Sequence, residues 1–110
     1  MATNIQYDVI GLTTSAQTFA TTGANEALTI TRVQAYNSDT VARLVTIYQV
    51  DSGGTAGASN LVHRQTVYAG QSTSIDIAGL NIRAGAFLQA LADASSVVNL
   101  SANWIKVDQT

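Results

Sequence analysis

The chain has 110 residues and a mass of 11.5 kDa, enough for one domain with one core and too little for two. Only 12 residues are charged, 11% of the chain against about 25% in an ordinary soluble domain, and the formal net charge is -2. No basic cluster is present, which argues against nucleic acid or an anionic membrane as a partner. Cysteine and proline are both absent, so the sequence allows no disulfide, thiolate metal site or cysteine nucleophile.

Uncharged side chains must form most of the polar surface. Thr, Ser, Asn and Gln together contribute 38 residues, and 10 Val and 8 Ile supply the β-branched apolar side chains that disordered segments lack. The first residues, Met1 to Gln6, lack the basic start and apolar stretch of a signal peptide. No apolar run reaches the roughly 18 residues needed to cross a bilayer. We therefore expect a folded protein that is made in the cytosol, stays there unless something larger carries it out, and has no membrane partner.

Alternation with a period of two dominates the chain, and no capped segment longer than ten residues keeps the 3.6-residue period of a helix. The first predicted strand covers residues 5–9. In it Ile5, Tyr7 and Val9 point one way, while the polar residues between them point the other way. Gly11 ends this alternation.

The segment Thr13–Asn25 is rich in Thr, Ser and Ala, and we interpret it as a loop or a short edge strand with one aromatic anchor, Phe19. A second predicted strand runs over residues 28–35. Its apolar phase slips by one residue near Thr31–Arg32, which is typical of a β-bulge. The cluster Asn37–Asp39 predicts a turn.

The middle of the chain predicts three more strands. Val41–Val50 is a long β-branched run, and Asp51–Asn60, with three glycines and no large apolar residue, is the clearest loop in the chain. Leu61–Tyr68 predicts the next strand, and Ala69–Ser72 predicts a turn. A short strand is then predicted at Ile75–Ile77.

Two strands close the predicted series. Ala78–Gly85 predicts a corner with Leu80 and Ile82 as apolar anchors. Phe87–Leu91 fits either a strand or one helical turn, and the neighbouring pattern favours the strand. Residues 98–107 alternate clearly and form the last predicted strand.

The sequence therefore predicts seven or eight short antiparallel strands at roughly 8–12-residue spacing, which indicates an all-β sandwich or small barrel. No segment resembles a βαβ crossover, and neither a tandem repeat nor a domain boundary is visible, so residues 1–110 are expected to form a single domain. Jelly-roll and immunoglobulin-like strand orders produce the same string of short strands, and the sequence does not choose between them.

The residue types needed for catalysis or metal binding are sparse. His63 is the one histidine, beside Arg64 on a predicted strand, and neither an orienting carboxylate nor a nucleophile is designated for it. A single Glu26 and scattered aspartates give no ligand spacing for a metal. We expect no catalytic residue, no cofactor-binding residue and no metal site, and therefore no enzyme.

The glycine-rich loop admits two weaker interpretations. Asp51 with the carbonyls of the following loop is a candidate calcium site, although no D-x-D-x-D-G pattern is present. Gly53–Gly57 resembles a phosphate-binding loop only in its glycines, because neither the lysine nor the helix that such a loop needs follows it. We interpret the segment as a flexible hairpin loop.

Aromatic side chains supply the alternative function of a carbohydrate-binding module. Such a module would use Trp104 with tyrosines on one sheet face as a stacking platform, whereas an isolated tryptophan in an alternating strand is more often a core or interface anchor. The tyrosines concerned are Tyr36, Tyr48 and Tyr68. Four single arginines suit ion pairs across an assembly contact better than a basic groove. They are Arg32, Arg43, Arg64 and Arg83.

The low charge bears most directly on function. Natural monomers protect the edge strands of a sandwich with lysine, proline or inward-facing charge, but this chain has one lysine, Lys106, and no proline. Its edges are covered either by its own loops or by another chain. The second option fits a subunit that works in an assembly, where uncharged surfaces are buried without stranding charges. We expect a homo-oligomer, a dimer or a trimer.

Several motifs resemble those of small tailed-phage virion proteins, in order and spacing. They are the Gly-Gly-Thr-Ala loop within Val50–Val62, the turn Tyr68–Ser72 before Ile75–Ile77, and the corner Gly79–Gly85 ahead of an Ala-rich strand. The resemblance covers roughly residues 28 to 107. It departs at Thr22–Asn25, where such proteins often carry a proline-glycine turn.

The resemblance implies a jelly-roll-like β-sandwich that belongs to a phage virion. It implies a decoration or cement protein on the outside of the capsid, which binds the major capsid protein or other virion subunits and bridges them. A tail, neck or head-fibre component is the alternative within the same class. Thr13–Asn25 and Gly53–Asn60 are the expected contact elements, because they are long segments able to become ordered on a partner.

Overall fold

Nine β-strands account for most of residues 3–108, the part of the chain that the computed structural model describes, with side chains placed for residues 5–107. The strands are β1 Thr3–Gly11, β2 Gln17–Phe19, β3 Glu26–Asn37, β4 Arg43–Val50, β5 Leu61–Val67, β6 Ser72–Ser74, β7 Asn81–Ile82, β8 Phe87–Ala92 and β9 Val98–Asp108. A 3-10 turn at Ala58–Asn60 precedes β5. No helix in this range is long and apolar enough to cross a membrane.

The strands form two antiparallel sheets. The first has the order β1-β9-β3-β6, with β7 also paired to β3, and the second has the order β2-β8-β4-β5. The chain passes repeatedly from one sheet to the other, which is the double-sheet arrangement of a jelly roll. The prediction of an all-β, jelly-roll-like sandwich is confirmed. The two-residue β7 raises the strand count above the seven or eight that were expected.

Alternating apolar residues from both sheets form the core. The predicted phase slip is real, because the β3–β9 register shifts between Ile30 and Arg32 and so turns both Ile30 and Val33 inward. Burying a side chain of this size stabilises the fold by roughly 1.5–3 kcal/mol. The largest fully buried side chains are Leu12, Leu28, Ile30, Ile47, Ile75, Ile82, Leu88, Leu100, Val33, Val45, Val50 and Val67.

Two of the short predicted strands differ in their outcome. Phe87–Leu91 is a strand, as predicted, and forms most of β8. The predicted strand at Ile75–Ile77 is wrong, because the strand lies just before it, at Ser72–Ser74. The Ile77 N–H donates to the Ile75 oxygen at 2.8 Å and closes a tight turn, and both isoleucine side chains are buried there. Their apolar–polar–apolar pattern thus marks two core anchors in a turn.

The predicted turn after β3 is organised by a buried side chain, that of Asn37. Its Nδ2 donates to the backbone oxygens of Val41 and Val67, both at 2.9 Å. Its Oδ1 accepts from the Asp39 N–H, also at 2.9 Å. One amide therefore satisfies three backbone groups and ties the β3–β4 turn to the end of β5.

The same turn carries a charged contact that is sensitive to pH. Arg43 donates to Oδ2 of Asp39 from Nε at 2.9 Å and from Nη2 at 2.6 Å, and the Thr40 N–H donates to Oδ1 at 2.7 Å. The hydrogen bonds from Arg43, and secondarily that from Thr40, hold the pKa of Asp39 below its ordinary value of 3.8. Between the lowered pKa and the ordinary one, the unfolded chain holds more protons than the folded chain, so stability rises with pH there.

We expect the contribution of Asp39 to be complete above about pH 5, where its carboxyl is ionised in both the folded and the unfolded chain, and to disappear as the pH falls through the lowered pKa. Asp39→Asn should lower the urea midpoint at neutral pH and flatten its dependence on pH on the acid side. The measurement is the urea midpoint between pH 7 and the lowest pH at which the chain is folded. Asp76→Asn, at an exposed aspartate that makes no ion pair with any residue in the described range, is the control and should keep the wild-type slope.

Candidate interaction surface

The structure brings together no catalytic or metal-binding constellation among the described residues. Nε2 of His63 lies 2.9 Å from Oε1 of Gln65, an amide that neither activates the imidazole as a carboxylate would nor serves as a nucleophile. No group of three or more His, Asp or Glu side chains converges among residues 5–107, whose side chains the structure describes.

The carboxylate of Asp51, the candidate calcium ligand, is hydrogen-bonded to an arginine. Arg83 donates to both of its carboxylate oxygens, from Nε at 2.9 Å and from Nη2 at 2.5 Å. This hydrogen bonding raises the pKa of Arg83 above its ordinary value. Because a bidentate arginine uses the oxygens that a cation would need, the structure does not support a calcium site at Asp51.

The Gly53–Asn60 loop follows this ion pair and has its own internal order. Oδ1 of Asn60 accepts from the Gly57 N–H at 2.8 Å, and its Nδ2 donates to the Thr55 oxygen at 2.9 Å. The loop ends in a single 3-10 turn and then a strand, so it lacks the helix that a phosphate loop requires. It borders a surface cavity of about 350 Å³, lined by Gln49, Asp51, Ser59, Asn60, Leu61, Val62 and Arg83.

The other expected contact element, Thr13–Asn25, is integrated into the sandwich. It contains β2, an edge strand of the second sheet, and its aromatic anchor Phe19 is buried, as expected. Its two ends are held by hydrogen bonds to β8 and to the corner before it. The Ala92 N–H donates to the Thr13 oxygen at 2.9 Å, and the Thr22 hydroxyl donates to the Ala86 oxygen at 2.7 Å.

The aromatic residues do not form a platform. Trp104 faces the core and is 6% exposed, and its Nε1 has no hydrogen-bond partner among the described residues. Tyr36 lies on the outer face of the first sheet, opposite Asn99, and Tyr48 lies on the outer face of the second sheet, opposite Gln89. A sugar-binding face built from Trp104 and these tyrosines is therefore excluded by their positions.

Two of the arginines that we expected at assembly contacts form ion pairs within the chain. Arg43 pairs with Asp39, as described above, and its Nη1 lies 3.9 Å from the carboxylate of Asp93. Arg83 pairs with Asp51. Arg32 donates to Oδ1 of Asn103 at 3.1 Å and also contacts the side-chain oxygen of Gln34.

The most unusual surface is formed by β1. An alternating strand at the side of a sandwich normally turns its apolar side inward, but β1 does the opposite. Ile5 is 82% exposed, Tyr7 64% and Val9 49%, and these side chains share the outer face of the first sheet with half-buried Ile105. Gln6 and Asp8 point to the inner side. The alternation of residues 5–9 is as predicted, but the sequence did not show that the apolar side of this strand faces outward.

The backbone of β1 is also open along one side. The register pairs Gly11 with Asn99, and the next residue, Leu12, donates its N–H to the Val98 oxygen at 2.8 Å. Because backbone groups in an antiparallel pair alternate in direction, the even-numbered residues of β1 bond to β9 and the odd-numbered ones point away from it. The Val9 N–H confirms this parity, since it donates to the carboxylate of Asp8 at 2.9 Å.

The other sheet edges are short or tied down. β2 and β6 have three residues each. β5 has seven, and its Gln65 bridges to the first sheet by donating to the Ser74 oxygen at 2.8 Å and accepting from the Asp76 N–H at 3.2 Å. With nine residues, β1 is the longest edge within residues 3–108 and carries no lysine or proline to protect it.

Solved structures with a similar fold include a chain from Bacillus endospore appendages, described as a novel family of disulfide-linked pili. It matches with a TM-score of 0.60 and 14% identity over 99% of this chain and 88% of that chain. A chain from the structure of infectious bursal disease virus, Gx strain, matches with a TM-score of 0.44 and 12% identity over 97% of this chain and 32% of that chain. Neither a family model nor a curated protein matches. At these identities the first likeness shows the fold and leaves the function to be argued from the surface.

Proposed function

We propose that the chain is a structural subunit of a tailed-phage virion, a decoration or cement protein that sits on the outside of the capsid and bridges its subunits. The observation that carries the proposal is the β1 surface, a nine-residue open edge beside an exposed apolar face. Natural soluble monomers avoid such an edge, because it pairs readily with other chains. A molecule that keeps it is suited to work in contact with neighbours.

Three further observations support an assembly role. Only 11% of residues are charged, so extensive contact with another protein leaves few ionic groups to be desolvated. The motifs within Val50–Val62 and Gly79–Gly85 resemble those of phage virion proteins. The fold is also that of a chain from Bacillus endospore appendages, which are described as pili. Those pili are described as disulfide-linked, whereas this chain has no cysteine, so its own contacts would be noncovalent.

In this role the protein acts by binding and catalyses no reaction. Each contact with the capsid is small, and affinity comes from several contacts per molecule repeated by the symmetry of the shell. The Gly53–Asn60 loop, which is largely exposed and lies beside the surface cavity, is the proposed element for contact with the major capsid protein. The buried anchors of Thr13–Asn25 make that segment a rigid contact surface rather than a flexible one.

Copy number in purified particles tests this proposal. Quantitative mass spectrometry should find on the order of hundreds of copies per particle for a protein repeated over the capsid. A tail, neck or head-fibre component would be present in about a dozen copies or fewer. Cryo-electron microscopy of the same particles should place the sandwich on the outer capsid surface. A chain that is expressed in infected cells but does not occur in particles would contradict a virion role altogether.

A further inference from the structure

The open edge of β1 is complementary to itself. Its odd-numbered residues present backbone N–H and C=O groups away from β9, and nine consecutive residues are available. We propose that two copies of the chain pair β1 with β1 in antiparallel fashion, about a two-fold axis that passes beside Tyr7. The two four-strand paths, each ending in β1, would then join into one continuous sheet of eight strands. This inference goes beyond the virion role, because it names a contact between two copies that forms without a particle.

A two-fold axis beside Tyr7 uses the whole length of β1. Tyr7 faces Tyr7 of the partner subunit, Ile5 faces Val9 of the partner subunit, and Thr3 faces Gly11 of the partner subunit. Every position in these pairs is odd-numbered, so each pair exchanges N–H and C=O groups that β9 leaves free. The Val9 N–H changes acceptor from the carboxylate of Asp8 to the carbonyl of the partner's Ile5.

The same register joins the apolar side chains on the outer face. Ile5 comes beside the partner's Val9, and the two tyrosines at position 7 meet across the axis. Cross-strand aliphatic and aromatic pairs of this kind stabilise antiparallel sheets. The exposed stripe that is unexplained in one chain therefore becomes a continuous apolar strip across two chains.

The inner face provides the strongest evidence for this register. Gln6 falls opposite Asp8 of the partner subunit, so an amide donor meets a carboxylate at two symmetric places. A register displaced by one residue in each strand would instead place the two Asp8 carboxylates opposite each other, which is repulsive. Because Gln6 is half-buried and Asp8 exposed in one chain, the second sheet leaves room for this contact.

The pairing also orients an acceptor toward the unsatisfied indole. Trp104 lies directly opposite Gln6 in the β1–β9 register, and its buried Nε1 has no partner among the described residues. A Gln6 side chain whose Nε2 donates to the partner's Asp8 has its Oε1 free to accept from that indole. The resulting series of hydrogen bonds runs from Trp104 through Gln6 to the partner's Asp8. It satisfies a buried donor that otherwise carries the full cost of desolvation.

The first test is the mass in solution. Light scattering after size exclusion should give about 23 kDa, twice the 11.5 kDa of one chain. Tyr7→Pro removes an N–H that points away from β9 and should raise the dissociation constant of the dimer by at least about a hundredfold. Circular dichroism checks that this variant is folded. A proline at Tyr36 would not serve as the control, because Tyr36 lies within the β3 ladder. Tyr36→Ala, at an exposed tyrosine away from β1, is the control and should remain dimeric.

The second test examines the register. Gln6→Glu places a second carboxylate opposite the partner's Asp8 and should raise the dissociation constant roughly tenfold or more. The double variant Gln6→Glu with Asp8→Gln restores an amide opposite a carboxylate and should return the constant to near that of the wild type. These conservative changes serve even if Tyr7→Pro fails to fold.

Three results would overturn the proposal. The first is a monomer at the highest soluble concentration, and the second is an oligomer whose dissociation is unaffected by Gln6→Glu. The third is a chain that is monomeric in solution and binds capsids, and that loses this capsid binding with Tyr7→Pro. That result would make another protein, and not a second copy, the partner of β1. A dimer that is missing from particles would contradict only the virion role, so failure of the two proposals can be told apart.

Discussion

Leu88→Ala is expected to lower the free energy of unfolding by about 2–5 kcal/mol. Leu88 is fully buried in β8, where it lies between Phe19 of β2 and Gln49 of β4 and faces the first sheet. Truncation removes its transfer free energy and leaves a cavity, since both neighbouring strands are fixed by their ladders. For a domain with a total stability of roughly 5–15 kcal/mol, this is a large fraction. The melting temperature should fall by roughly 10–30 °C.

The matched control for Leu88 is Leu61→Ala, which makes the same chemical change in the same sheet. Leu61 is 40% exposed at the start of β5, and its truncation should cost less than about 1 kcal/mol. Chemical denaturation of both variants gives the comparison, with the slope against urea used to check that both unfold from the same native state. Equal losses for the two leucines would mean that β8 is not the centre of the core.

The second large effect is expected at Asn37, whose side chain is fully buried. Asn37→Ala leaves the carbonyls of Val41 and Val67 and the N–H of Asp39 without their partner. Each unsatisfied buried group costs about 1–3 kcal/mol, and partial access of water to the turn reduces the sum, so we expect a loss of about 2–4 kcal/mol. Urea denaturation measures it.

Two further variants separate hydrogen bonding from shape at this position. Asn37→Asp keeps the outline of the side chain but replaces the donor that faces two carbonyls with an acceptor, so it should destabilise the fold at neutral pH at least as much as Asn37→Ala. Asn99→Ala, at an exposed asparagine on the neighbouring strand β9, should change stability by no more than about 0.5 kcal/mol. A tolerated Asn37→Asp would show that the amide donor is dispensable.

The elements with strong alternation could be predicted from the sequence, because periodicity reports directly on a strand with one buried face. Residues 98–107 and the bulge near Thr31 are examples, and both appear in the structure as expected. Ile75–Ile77 misled because two core anchors in a tight turn show the same apolar–polar–apolar pattern as a strand. Strand order was beyond reach, since nothing local records that β9 lies between β1 and β3.

Only part of the candidate surface could be predicted from the sequence. The scarcity of lysine and proline correctly indicated a poorly protected edge, and the alternation of residues 5–9 located a strand. The direction in which Ile5, Tyr7 and Val9 point depends on the pairing with Trp104 and its neighbours nearly a hundred residues away. The sequence identifies Asn37 only as part of a turn, because its three hydrogen bonds are made with groups that the fold brings together.

The position of β9 has a consequence for how the molecule acquires its shape. The first sheet cannot close until residues 98–108 insert between β1 and β3, strands that come far earlier in the chain. Contacts between residues so distant in sequence require large loops to be ordered before they are formed, and domains of this kind fold in milliseconds to seconds. During synthesis on the ribosome, β1 and β3 therefore remain unpaired with β9 until this last strand of the described range has been made. Until β9 inserts, β1 and β3 both lack the strand that lies between them in the finished sheet, and unpaired strands of this kind make a nascent chain prone to aggregation.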